Sequence, residues 1–119
     1  MRVRAGPALG LVALAPGDPR FVYTRGFASR DGGDTWEPTP PSPADSAVEL
    51  AVDPRDPETV YAATLSGVWR QVGSADWEPF SSGLVQPMTQ GIAFDPARPE
   101  RLLCGTAGAG AYELRLEAR

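Results

Sequence analysis

Ser29-Arg30-Asp31-Gly32-Gly33-Asp34-Thr35-Trp36 is the most informative segment of this chain. Its residue types suit a tight hairpin. The Asp31 carboxylate is placed to accept from backbone N–H groups of the turn and from the Thr35 hydroxyl. Gly32 and Gly33 tolerate the positive φ that such a turn demands. Ser29 is placed to tie the incoming strand to the turn, and Trp36 is expected to drop its ring into the packing of the sheet.

On both sides of this segment the chain repeats itself. Leu11-Val12-Ala13-Leu14-Ala15-Pro16-Gly17-Asp18-Pro19 runs on into Phe21-Val22-Tyr23. Glu49-Leu50-Ala51-Val52-Asp53-Pro54-Arg55-Asp56-Pro57 runs on into Thr59-Val60-Tyr61. Gly91-Ile92-Ala93-Phe94-Asp95-Pro96-Ala97-Arg98-Pro99 runs on into Arg101-Leu102-Leu103. Each copy is an apolar strand, a turn with prolines three apart, and a second apolar strand. A period of about 40 residues is that of a propeller blade. The downstream halves also match, at Gly26-Phe27-Ala28, Gly67-Val68-Trp69 and Gly110-Ala111-Tyr112, with Trp36-Glu37-Pro38 answered by Trp77-Glu78-Pro79. In this alignment Trp69 falls at the place of Ala28. Around Trp77 the second copy has lost the serine, the aspartate, the glycine at the Gly33 place and the threonine, so ring packing is expected to outweigh turn polarity there.

Strands are predicted near 10–15, 21–25, 26–30 and 35–39, then 48–53, 60–64, 67–72 and 76–80, then 91–95, 102–106 and 110–116. Pro40-Pro41-Ser42-Pro43 and Ser81-Ser82-Gly83 open the crossings between copies. No segment sustains a 3.6-residue period over three turns, so no helix is predicted. The expected fold is all-β, a single partial β-propeller domain over 1–119. It has blades of four antiparallel strands at about 9–47, 48–90 and 91–119, two complete and most of a third.

The stretch 29–36 resembles the Asp-box pattern Ser-x-Asp-x-Gly-x-Thr-Trp of the BNR/Asp-box family, which includes sialidase-like, sortilin-like, xyloglucanase-type and photosystem-assembly-type propellers. The resemblance covers nearly the whole chain. It assigns Ser29, Asp31, Gly33, Thr35 and Trp36 to a structural Asp box and Trp77 to a degenerate second one. It also places Asp31 on a peripheral hairpin, away from a central channel. Members generally use six or more blades, and a closed ring typically needs at least four. The chain is therefore expected to belong to a larger ring, to assemble with further copies of itself (two or three making a ring), or to stand as an open fold. The outer faces of the first and last blades are the association surfaces in that reading. The segment Arg2-Val3-Arg4 is a candidate to supply the fourth strand of the last blade.

Composition excludes several chemistries. The chain has 119 residues and no histidine, which removes Ser-His-Asp and Cys-His catalysis and histidine-ligated metals. Net charge is −4 and the cations, all arginine, are scattered, unlike a nucleic-acid footprint. No apolar run approaches the ~20 residues of a membrane-spanning helix. Ala8 to Ala15 after Arg2 and Arg4 has the outline of a short signal segment, but the repeat claims it as a strand, which favours a cytoplasmic over a secreted protein. The lone Cys104 is expected to be a buried, inert thiol.

The repeated Asp53 and Asp95 precede proline and read as turn initiators, not as an acid and base pair. Asp34, Asp45, Asp56 and Asp76 have no spacing that pairs any two of them across a sugar. Arg25, Arg70, Tyr23, Tyr61 and Tyr112 are of types that a sialidase site uses, without a motif to assign them. The glycine-rich Gly105–Gly110 lacks the lysine of a phosphate loop. No catalytic, cofactor-binding or metal residue is therefore assigned. Trp69 is the candidate ring for stacking on a carbohydrate. The functional expectation is a non-catalytic binding or scaffolding module with a protein partner or its own copies. The alternatives are a fragment of a BNR-repeat glycoside hydrolase and a lectin-like binder.

Overall fold

The computed structural model describes residues 12–24, 26–38, 49–64, 67–73, 75–80, 89–106 and 110–116. Among them are eleven strands and no helix. Sheet 1 consists of β1 (Val12–Leu14), β2 (Val22–Thr24), β3 (Phe27–Ser29) and β4 (Glu37–Pro38). Sheet 2 consists of β5 (Glu49–Val52), β6 (Thr59–Thr64), β7 (Gly67–Val72) and β8 (Glu78–Pro79). Sheet 3 consists of β9 (Thr89–Asp95), β10 (Arg98–Thr106) and β11 (Gly110–Arg115). Within each sheet every strand pairs antiparallel with the next in the chain. Such up-and-down meanders, stacked face on face, are propeller blades, two of four strands and one of three. The expected all-β fold is what the chain adopts. The crossings at 40–43 and 81–83, Arg2-Val3-Arg4, residues 8–11 of the N-terminal apolar run and residues 107–109 of the glycine-rich segment lie outside the described residues.

The prolines three apart have a local cause. From Ala15 to Phe21 the chain makes two consecutive turns, with Asp18 N donating to Ala15 O (3.2 Å) and Phe21 N to Asp18 O (3.1 Å). The same pair recurs at Asp56 N to Asp53 O and Thr59 N to Asp56 O, both 3.1 Å. Each proline takes the second position of one turn, where its fixed φ fits. Asp18 and Asp56 join the two turns and accept the N–H two residues on, from Arg20 (3.1 Å) and Glu58 (3.0 Å). In sheet 3 that position is Arg98, which has no acceptor. There the double turn gives way to a two-residue hairpin, Asp95 pairing with Arg98, and β10 begins four residues earlier than predicted, with a bulge before Leu102.

Period-two alternation sets the core. Leu50, Val52, Val60 and Ala62 of sheet 2 pack toward sheet 1 against Ala15 and Tyr23, with Ala13, Phe21, Ala28 and Trp77 around them. Tyr61, Ala63 and Val68 face the other way, onto Ile92, Leu102, Cys104 and Leu116 of sheet 3 and its continuation. All six residues of β6 are buried, because both faces of the strand are covered. Tyr61 meets Phe80 and Phe94 edge-on, with centroids 5.2 and 5.6 Å apart. Polar links lock the sheets together. The Tyr23 hydroxyl donates to Pro57 O (2.6 Å), Arg30 pairs with Glu58, and the Glu49 carboxylate accepts from Ile92 N (2.7 Å).

Candidate functional site

The turn between β3 and β4 is a polar clasp. Ser29, itself buried, donates to Asp31 Oδ1 (2.8 Å) and accepts from Gly33 N (2.8 Å). Asp31 in turn accepts from Thr35 N on Oδ1 (2.9 Å) and from the Thr35 hydroxyl on Oδ2 (2.6 Å). The Thr35 hydroxyl is the main reason that the Asp31 carboxyl is held below the usual carboxylate range, with the Thr35 N–H and the Ser29 hydroxyl adding to it. Gly32 and Gly33 have φ of +75° and +96°. Gly32 N donates back to Arg20 O (2.8 Å), which anchors the turn to the start of β2.

The corresponding turn between β7 and β8 keeps that anchor without the clasp. Gly73 N donates to Glu58 O (2.9 Å), and Gly73 has φ +60°. Gln71, buried, donates from Nε2 to Ala75 O (3.1 Å), so an amide spans a turn where Ser29 and Asp31 do so in sheet 1. Gly73 precedes Trp77 by four residues as Gly32 precedes Trp36. That spacing is the signal that finds it, and reading only the motif glycine Gly33 misses it. Sheet 3 repeats the anchor a third time, from Leu116 N to Glu100 O (2.8 Å).

The three tryptophans take different places. Trp77 packs against the core between sheets 1 and 2, as expected of it. Trp36 is half-buried and lies on its own turn, its indole N–H donating to Gly33 O (3.1 Å). Pairing of Glu37 with Ala28 sets Trp36 opposite Ser29, on the face of sheet 1 turned away from sheet 2, against which no other described sheet lies. That explains why it does not fill an interface as Trp77 does. Trp69 pairs with Ala62 and Pro79. Its supposed counterpart Ala28 pairs with Tyr23, and the residue that pairs with the equivalent Tyr61 is Arg70. The alignment of Trp69 with Ala28 is therefore wrong, because β2 and β3 are three residues each while β6 and β7 are six. The indole N–H groups of Trp69 and Trp77 are buried and find no acceptor among the described residues.

The carboxylates of the repeated motifs are engaged close to home. Asp53, buried, accepts from Arg55 N (2.8 Å) and pairs with the Arg55 guanidinium (3.1 Å). Asp95 accepts from Ala97 N (2.9 Å), which is the chief reason its carboxyl is held low, and from Arg101 (2.8 Å). Asp56 takes Glu58 N and the Thr59 hydroxyl (2.9 Å). Arg70 pairs with Glu78 and lies 4.7 Å over the Phe80 ring. Asp45, Arg25 and the Tyr112 side chain are outside what is described.

No protein-family model matches this chain, and no curated protein matches it. Among solved structures it is similar to an ancestral GH74 enzyme, with a TM-score of 0.71 at 20% identity over 87% of this chain. The chain spans 14% of the length of that enzyme. At such identity the likeness speaks for the fold, and the fold it supports is the propeller.

Proposed function

We propose that the chain is a non-catalytic BNR/Asp-box propeller module, a binding or scaffolding unit that forms part of a larger ring. Residues 29–36 are its Asp box, a structural staple in which Ser29, Asp31, Gly33 and Thr35 fix the outer hairpin and Trp36 covers it. Trp77 marks the degenerate second box. The blades are those of about 9–47, 48–90 and 91–119. The observation that carries this reading is the engagement of Asp31, Asp53, Asp56 and Asp95 by the backbone of their own turns. Those bonds give each of these carboxylates an architectural task. Aryl glycosides incubated with the purified chain are expected to remain intact. Hydrolysis above the uncatalysed rate would overturn the reading in favour of a glycoside hydrolase fragment, the alternative that the likeness to a GH74 enzyme supports. The lectin alternative is favoured by Trp69, whose buried N–H has no acceptor among the described residues. Glycan-array binding that is lost on Trp69→Ala would support it.

A further inference from the structure

Asp31 is the one aspartate of the chain that precedes glycine. Asp18, Asp53, Asp56 and Asp95 precede proline, whose nitrogen carries no hydrogen and cannot close a ring onto them. Asp34, Asp45 and Asp76 precede threonine, serine and tryptophan, whose side chains crowd the following N–H. Asp31 and Gly32 are both exposed, and a Cβ built on Gly32 would meet nothing within 4 Å. Hydrogen bonds, and not packing, keep the Gly32 nitrogen from the Asp31 carboxyl carbon. The Gly32 N–H is directed at Arg20 O (2.8 Å). Oδ1 of Asp31 is held by the Ser29 hydroxyl (2.8 Å) and Thr35 N (2.9 Å), and Oδ2 by the Thr35 hydroxyl (2.6 Å). These bonds, that of the Thr35 hydroxyl first, keep the carboxyl ionised to lower pH, whereas a carboxyl oxygen leaves as water only when protonated.

We propose that Asp31-Gly32 is a modification site, at which Asp31 isomerises to isoaspartate when the clasp opens and is spared while it is closed. In the open turn the Gly32 nitrogen gives up its proton and attacks Cγ of Asp31. The N–Cγ bond forms, a Cγ–O bond breaks, and that oxygen departs as water, leaving a five-membered succinimide. Water then adds to one of the two ring carbonyls. Breaking the bond from Gly32 N to Cγ restores aspartate, and breaking the bond from Gly32 N to the Asp31 carbonyl carbon gives isoaspartate. One water leaves and one enters, so nothing else is consumed. The product carries the chain through Cβ and Cγ, one backbone atom longer, and its carboxylate sits directly on Cα. The donors of Thr35 then find no acceptor at the places of Oδ1 and Oδ2, and the modified turn stays unclasped. The proposal goes beyond the module reading and needs only the clasp.

The chain has no asparagine, so every isoaspartate in it comes from an aspartate. The test incubates the full chain at pH 6, folded in buffer and unfolded in urea, and counts isoaspartate by methyl uptake with an isoaspartyl methyltransferase. The unfolded chain is expected to accumulate it at least about tenfold faster, because in the folded chain the reaction waits on local opening. Asp31→Glu is expected to remove the uptake in urea, where its effect on the clasp is immaterial. Thr35→Val removes the bond to Oδ2 and keeps the side-chain shape, and is expected to raise the rate in the folded chain several-fold. Trp77→Ala weakens the fold away from the clasp and is expected to leave that rate near wild type, with circular dichroism confirming that both variants are folded. Equal rates in the folded and unfolded chain, or uptake in urea unchanged by Asp31→Glu, would overturn the site. A Thr35→Val rate no higher than that of Trp77→Ala would overturn the clasp as its guard. Hydrolysis of an aryl glycoside, which overturns the module reading, leaves the modification site standing.

Discussion

The turn after β3 and the turn after β7 start from the same backbone bond, Gly32 N to Arg20 O in one and Gly73 N to Glu58 O in the other. From there they diverge. The first is closed by the hydroxyls and carboxylate of Ser29, Asp31 and Thr35, and its tryptophan rests on the turn itself. The second has one amide bond from Gln71, and its tryptophan, partly buried, packs against the core between two sheets. A turn on the covered side of a sheet is stabilised by the neighbour it packs against. A turn on a face that no other described sheet covers is held by its own polar bonds. The polar motif is therefore richest where packing contributes least.

The widest gap between the two turns should come from their rings. Trp77→Ala is expected to cost about 3 kcal/mol, from lost burial plus the cavity left behind, and Trp36→Ala about 1 kcal/mol, as for partial burial of an apolar surface. Urea unfolding of both variants measures the difference, and equal losses would break the comparison. The shared anchor predicts the opposite pattern for the glycines. Gly32→Ala and Gly73→Ala should each cost roughly 1–2 kcal/mol, since an L-residue resists positive φ. Open space surrounds a Cβ at both places, so the two values should agree.

The clasp itself gives a smaller and pH-dependent effect. Asp31→Asn is expected to lower Tm by a few degrees at pH 7. The folded-state pKa of Asp31 is depressed, so its contribution is present above the unfolded value near 3.8 and is lost as pH falls through the folded value. The difference between wild type and Asp31→Asn should thus fade in acid, and a difference that persists unchanged at pH 2 would refute the carboxylate's role. The smallest effect sits at the link between the sheets. Burial pushes the Tyr23 hydroxyl up to about 12. An unfolded tyrosine ionises near pH 10, so the stability tied to neutral Tyr23 is full below pH 10 and is lost as pH rises toward 12. Tyr23→Phe should remove that part of the alkaline loss, as followed by fluorescence-detected unfolding from pH 9 to 12.

Much of this was legible because the signals are local. Paired prolines sit at fixed turn positions, and the apolar runs that flank them, such as Val60 to Ala63, read as strands. Hairpin length was not legible. Strand pairing, not residue type, makes Arg70 the equivalent of Ala28, and an alignment on tryptophans and glycines hides that shift. The third proline turn misled for a related reason. Arg98 replaces an acceptor whose role appears only once the double turn at Asp18 and Asp56 is seen bond by bond. The links from Tyr23 to Pro57 and from Glu49 to Ile92 join residues 34 and 43 apart in the chain, beyond the reach of any local pattern.

Cys104, the single thiol of the chain, is sealed among the side chains between sheets 2 and 3, whereas the junction between sheets 1 and 2 has none. That placement makes it a clock. Under native conditions an alkylating reagent reaches the sulfur only when the second junction opens, so the labelling rate counts those openings and ignores the first. The protein thus carries its own means of asking whether its blades separate one at a time or together.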